Sequence, residues 1–296
     1  MSADIDTEPC GGRRVVVGRG LQPISLPLAT CHLPLSKGFT LIEMIMVIVL
    51  LGAMVAVASV FIVQPFRAFD DMQRRAELVE AADSALMLMT REVRAALPNS
   101  VRVRTDGARV ALEFIPTVAG GRYRAHKDGT GDGDILDFTQ ADDGFDVMGE
   151  IDLPAVGRPH VVVYNLTAAG SAGNAYLGDN RASLDEAASN ANYVSLISSH
   201  QFPFTSPDQR FQIVTAPVAY VCDPAGGELS RVDGYGFLGN PFTASGALVA
   251  RYIAGCQFDY DPGAGTRNGL VSARLTLSDA GETISLLQQV HVLNTP

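Results

Sequence analysis

The apolar and polar positions divide the chain into three regimes. From Met44 to Val63 runs a stretch of 20 residues without one ionisable side chain, rich in Val, Ile, Leu and Met, with Gly52 and Ser59 as its only breaks. At a helical rise of about 1.5 Å per residue it spans about 30 Å, the thickness of a bilayer core. Beyond it, Phe69, Met72, Ala76, Val79, Asp83, Leu86, Thr90, Val93 and Leu97 recur at alternating steps of three and four, and all but Asp83 and Thr90 are apolar. This is an amphipathic stripe able to pack on a globular domain. Arg74, Arg75, Glu80, Arg91 and Arg94 lie mostly off the stripe, and Pro98 ends it, because the residue before a proline avoids helical geometry. The pattern predicts one long helix from Phe39 to about Ala96, half in the membrane and half against the domain.

After Pro98 the pattern changes to short β-rich runs separated by Gly, Asp, Asn and Pro. Strands are expected at Val101–Arg104, Arg109–Ile115, Ile135–Thr139, His160–Leu166, Arg210–Thr215, Val218–Cys222, Ala254–Tyr260, Gly269–Ser278 and Thr283–Val292. The last two alternate and flank Asp279-Ala280-Gly281, which suits a hairpin. The stretch Ala168–Asn192 reads as a long excursion with a short helix at Ser183–Ser189. With no internal repeat and no second core in the pattern, one globular domain is expected, and the fold class is α+β.

The order of features at the amino end excludes an ordinary secretory signal, in which the small-residue cleavage site follows the apolar part. Here Lys37-Gly38 precedes the apolar run and Phe39-Thr40-Leu41-Ile42-Glu43 opens it. Cleavage at Gly38 keeps the apolar segment. Glu43 is a carboxylate at the start of a membrane helix, a position that costs a few kcal/mol unless the charge is neutralised or interfacial. The free N–H groups at a helix amino terminus favour it there.

The run Lys37-Gly38-Phe39-Thr40-Leu41-Ile42-Glu43 resembles the class III signal of type IV pilins and type II secretion pseudopilins. The resemblance implies cleavage between Gly38 and Phe39 by prepilin peptidase, then methylation of the new Phe39 amine. It implies that Glu43 answers the amine of a neighbouring subunit as subunits join. Two opposite charges in an apolar bundle each cost much alone and little when paired. The implied fold is pilin-like, a long amino-terminal helix on an antiparallel β-rich head. The expected divisions are 1–38 as leader, 39–64 as membrane and filament-core helix, 65–97 as its amphipathic continuation and 98–296 as the head. A 38-residue leader is long for this class and leaves the translation start open. Pro65, at the end of the run, is expected to kink or loosen the helix where it leaves the bilayer. Arg13, Arg14, Arg19 and Lys37 precede the span and Arg67, Arg74 and Arg75 follow it, so orientation is taken from the peptidase signal. That places a single-pass protein in the inner membrane with its carboxy-terminal domain in the periplasm.

A narrower resemblance lies in Arg91–Val103, in Tyr220-Val221-Cys222-Asp223-Pro224 and in Leu286-Leu287-Gln288-Gln289-Val290-His291-Val292. These are similar to minor pilin-like proteins of the mannose-sensitive haemagglutinin (MSHA) pilus system, with the general secretion pseudopilin J as a close relative. The implied partners are other pilin-like subunits, prepilin peptidase and the inner membrane.

Charge and cysteines refine this picture. The formal charge is −10, with 22 basic against 32 acidic residues, which argues against nucleic acid as a partner. Of the four cysteines, Cys10 and Cys31 precede the proposed cut. Processing leaves Cys222 and Cys256, which reads either as one disulfide worth roughly 3–4 kcal/mol or as two unpaired buried thiols.

Candidate chemistry in the head is sparse. Gly234-Tyr235-Gly236-Phe237-Leu238-Gly239 has the spacing of a dinucleotide fingerprint, but no strand–turn–helix unit surrounds it and Pro241 follows, so a turn-rich loop is expected. In Asp128-Gly129-Thr130-Gly131-Asp132-Gly133-Asp134 the alternating oxygens echo a calcium loop, with Asp128, Asp132 and Asp134 as candidate ligands. The twelfth position is Thr139 rather than Glu, and a plain Asp/Gly turn explains the segment with less. Asp142, Asp143 and Asp146 read as an exposed acidic turn. His126, His160, His200 and His291 show no ligand spacing, and no Ser or Cys sits in a nucleophile motif. Neither an enzyme nor a cofactor is expected, calcium being the one candidate.

Overall fold

The computed structural model describes residues 38–294 apart from 154, 156, 171 and 264–267. The proposed leader, with Cys10 and Cys31, lies outside the described residues up to position 37. By contact density the chain divides into two units, Met1–Val60 and Phe61–Pro296.

Helix α1 runs Leu41–Arg94. Within the first unit, Leu41–Ser59 is long and apolar enough to cross a membrane, and none of it is buried by protein. The hydroxyl of Ser59, the polar side chain of this run, donates to the Ala56 carbonyl at 2.8 Å, so no donor is left bare in an apolar surrounding. The helix assignment continues through Pro65. At the far end Ala95 and Ala96 donate to the carbonyls of Glu92 and Val93, which tightens the last turn.

Among the described residues the second unit carries fourteen strands: β1 Arg102–Asp106, β2 Arg109–Phe114, β3 Thr117–Arg122, β4 Asp142–Asp146, β5 His160–Val163, β6 Arg181–Ser183, β7 Tyr193–His200, β8 Arg210–Val214, β9 Val218–Asp223, β10 Glu228–Val232, β11 Gly246–Arg251, β12 Ile253–Asp261, β13 Gly269–Asp279 and β14 Glu282–Val292. They form four antiparallel sheets, ordered β1-β2-β9-β10-β11, β12-β13-β14, β3-β8-β5-β6 and β4-β7. The α+β class and its β-rich head follow from this arrangement.

The main core is where the later half of α1 meets the five- and three-stranded sheets. Leu78, Ala82, Ala85, Leu86, Met89 and Val93 of the helix pack with Leu112 and Phe114 of β2, Tyr220 of β9 and the inward positions of β13 and β14. Strand β13 shows the pattern that makes this possible: Val271, Ala273, Leu275 and Leu277 are buried at alternate positions. A second core, not visible in the sequence pattern, lies between the remaining sheets and centres on Phe145, Val161, Phe211 and Ile213. Phe145 and Phe211 meet edge to face at 5.1 Å.

Several expectations are corrected here. The docked face of α1 is rotated from the stripe: Leu86, Val93 and Leu97 are buried, but Phe69 is 72 % and Met72 71 % exposed, and Val79 is also exposed. Docking begins at Leu78, and Ala82 and Ala85 let the helix approach the sheets closely. Ile135–Thr139 is not a strand, because Leu136 donates to the Arg124 carbonyl and Asp137 to the Asp142 carboxylate in place of a ladder. Ser183–Ser189 is not a helix: β6 ends at Ser183, and the Asp185 carboxylate then takes the N–H groups of Ala187 and Ala188 in a turn. Strand β5 stops at Val163 because Tyr164 takes a positive φ of 53°. Asp142, Asp143 and Asp146 belong to β4, paired with β7, rather than to an exposed turn.

Candidate functional site

The site begins with the local chemistry of the helix start. Thr40 lies one residue before the first helical position and caps it. Its carbonyl accepts from Glu43 at 3.1 Å and Met44 at 3.2 Å, and its hydroxyl accepts from the Glu43 N–H at 3.3 Å. Thr40 and Glu43 have the spacing of a capping box, in which the glutamate side chain would reach back to the Thr40 N–H. Only the threonine half is made. Among the described residues the Glu43 carboxylate has no hydrogen-bond or ion-pair partner. Phe39, four residues before it, is 79 % exposed. The cap holds the backbone without engaging the Glu43 carboxylate, which lies at the rim of the apolar helix.

Gly38 is also open. Among the described residues a Cβ added there meets nothing within 4 Å, and its backbone is outside the left-handed region. The fold itself therefore places no demand for glycine at the proposed cut.

At the other end of the helix, the docked half is tied to the head by charge. The Tyr220 hydroxyl donates to Glu92 at 3.0 Å, and Arg231 Nε donates to the same carboxylate at 3.0 Å. Burial and then the Glu92 charge push the Tyr220 hydroxyl up, so it stays a donor at neutral pH. The segment leaving the helix is a junction. Leu97 donates to the Ile115 carbonyl, Asn165 Nδ2 to Pro98 at 2.7 Å, and the Asn99 N–H to Asn294 at 3.1 Å. Leu97, Ile115, Val162, Tyr176 and Val214 form the small core beneath it.

Glu113 on β2 is fully buried and accepts from Arg102 at 2.7 Å and from Tyr235 at 3.0 Å, with Arg104 at 3.5 Å. Tyr235 belongs to the glycine-rich Gly234–Gly239 segment. That segment is a loop on the face of the five-stranded sheet opposite the helix, so its tyrosine serves a buried carboxylate. Sequence reasoning missed Glu92 and Glu113 as organising residues. For Glu92 the available signal is its place three residues after Met89, on the rim of the docked face. Glu113 shows only as a charge between Leu112 and Phe114.

The remaining candidates are placed as follows. The Sγ atoms of Cys222 and Cys256 stand 2.03 Å apart, with Cα atoms 6.4 Å apart, joining β9 to β12. The Asp128 carboxylate accepts from the Thr130 N–H, the Thr130 hydroxyl and the Asp132 N–H. Asp134 accepts from the Tyr193 hydroxyl at 3.2 Å, and its own N–H goes to Asp146. Among the described residues no group of three or more His, Cys, Asp or Glu converges as a metal site. Because Asp128 is held by N–H groups of its own loop and Asp134 by the Tyr193 hydroxyl, removing calcium with a chelator is expected to leave the melting temperature of the full-length protein unchanged; a fall on chelation, reversed by added calcium, would contradict this. His160 is pushed down to about 4 by burial and then by the Arg181 charge, and is neutral at pH 7. A groove of about 560 Å³ is lined by Arg102, Phe258, Tyr260 and Pro262 among others.

Residues 34–59 match the prokaryotic N-terminal methylation motif. No curated protein and no solved structure matches the chain. The matched segment covers Gly38, Phe39, the Thr40 cap, Glu43 and the apolar helix that follows. This motif at the amino end, the helix behind it that is apolar and long enough to be a single-pass anchor, and the β-rich domain that follows together support a type IV pilin-like protein.

Proposed function

We propose that this protein is a minor pilin of an MSHA-type pilus, most like MshO, which enters the filament through its amino-terminal helix and helps to initiate or tip it. It sits in the inner membrane as a single-pass precursor with its head in the periplasm, and its role is architectural rather than enzymatic. The observation that carries the reading is the Glu43 carboxylate, without a partner among the described residues, four positions after the exposed Phe39. Once cleavage frees the Phe39 amine, an identical geometry on adjacent subunits lets one carboxylate meet the next subunit's amine in an apolar bundle. The narrower assignment is supported by the resemblance in Arg91–Val103 and near the carboxy terminus.

The test has two parts. Mass spectrometry of the mature amino terminus is expected to find methylated Phe39. Glu43→Leu is expected to insert and be cut normally yet fail to assemble. Leaving one charge of a buried pair alone costs about 3–5 kcal/mol, more than roughly a hundredfold in an assembly equilibrium. An unmodified, uncut amino terminus, or filaments at wild-type level from Glu43→Leu, would remove this reading. Loss of protein secretion rather than of pili on deletion would move the assignment to a type II secretion pseudopilin of the J kind.

A further inference from the structure

The edges of the sheets are not treated alike. Natural proteins blunt exposed edge strands with bulges, charges, prolines or short length, because unpaired N–H and C=O groups invite another strand. Here β11, β12, β3 and β4 all belong to pairings with a register shift. Edge strand β1 carries Arg102, Arg104 and Asp106, and β6 is only three residues long. Strand β14 has none of these devices. It spans eleven residues, its register with β13 is unbroken from Asp279↔Glu282 to Gly269↔Val292, and Thr283–Val292 holds neither a Lys, Arg, Asp or Glu nor a proline.

The hairpin also settles which groups point outward. Ala280 and Gly281 form a two-residue turn with positive φ at both positions, 46° and 93°, so Asp279 and Glu282 are the hydrogen-bonded pair that closes it. Hydrogen-bonded and open pairs then alternate along the ladder. The N–H and C=O groups of Thr283, Ser285, Leu287, Gln289 and His291 therefore face away from β13. Among the described residues no other backbone group meets them.

We infer that this outer edge of β14 is a docking edge that pairs with an uncharged edge strand of a neighbouring, different pilin-like subunit. The occupant follows from position and charge. Arg74 of α1 reaches Asp279 at the hairpin turn at 4.0 Å, and Phe69 and Met72 lie exposed just before it on the helix. The methylation motif at the amino end implies assembly with other pilin-like subunits, which brings such a subunit alongside the head. The outward side chains of β14 are uncharged and include Leu287, 52 % exposed, which suits a strand and offers nothing to a charged ligand. A formal charge of −10 disfavours a second copy of this chain as the neighbour.

The inference rests on the filament reading above, and its test separates the two. Ser285→Pro with Gln289→Pro in the full-length chain removes two outward N–H groups and no ladder bond. The expected result is normal processing, a melting temperature close to wild type in detergent, and at least about tenfold fewer sheared filaments. Ser285→Ala with Gln289→Ala is expected to assemble like wild type. Wild-type filament numbers from the proline pair overturn the docking edge, while a block by Glu43→Leu in the same strain leaves the filament reading standing. If the proline pair melts markedly lower, Leu287→Lys decides, since it alters only an exposed side chain: loss of filaments supports the edge and wild-type numbers overturn it. A purified wild-type chain that dimerises, and loses the dimer in the proline pair, overturns the choice of a different subunit. A chain absent from filaments removes both readings.

Discussion

Gly38→Ala is expected to yield only full-length precursor and no filaments, while the head folds normally. The geometry makes this a clean experiment. Among the described residues a Cβ at Gly38 meets nothing within 4 Å and the backbone there is not left-handed, so alanine adds no clash with them and no strain. Any loss would then point to the peptidase, which on the proposed reading cuts after this residue. Without the cut, Phe39 keeps an amide in place of a charged amine, and Glu43 has no cation to meet. The helix would also carry a polar arm with Arg13, Arg14, Arg19 and Lys37 into any bundle. Gel mobility and the mass of the membrane-bound species read the outcome directly. A normally cut protein would show that glycine is dispensable, and a cut but unassembled one would place the defect after processing.

The second large effect is expected from the cysteine pair. Cys222 is fully buried in the main core on β9, and Cys256 lies on β12. Those strands belong to different sheets with no ladder between them. A bond there joins the five-stranded to the three-stranded sheet across a separation of 34 residues. In the chain-entropy account a loop of that length is worth roughly 3–4 kcal/mol. For a domain of this size each kcal/mol is about 2–4 °C, so Cys222→Ala with Cys256→Ala should melt about 10 °C lower. Reductant should lower the melting temperature of the wild type and leave the double variant unchanged. Two free thiols by mass, with no effect of reductant on melting, would show that the pair is not bonded in the native protein.

Much of the site and part of the fold were legible along the chain. The apolar run and its bounds needed only contiguous residues, since length and the absence of charge decide membrane compatibility. The order Lys37-Gly38-Phe39 and the position of Glu43 are equally local. The final hairpin was legible too, because alternation in β13 and β14 and the Ala280-Gly281 turn are properties of neighbours. Short or irregular strands were not. Strand β4 reads as an acidic turn because Asp142, Asp143 and Asp146 surround its two buried residues, Gly144 and Phe145, and only pairing with β7 makes it a strand.

What the sequence by itself determined, then, is the long apolar helix, the methylation motif at its start, the class of head behind them and the closing hairpin. The tertiary structure alone decided which face of α1 is docked, where docking starts, and that the head has a second core. It also decided that Glu92 and Glu113 are organising groups rather than surface charges. The physical reason is distance along the chain. Glu92 finds Tyr220 128 positions away and Arg231 139 away, and Glu113 finds Tyr235 122 away. Periodicity reports how a residue relates to its neighbours within a few turns. It carries nothing about a partner that arrives only when distant strands fold back against it.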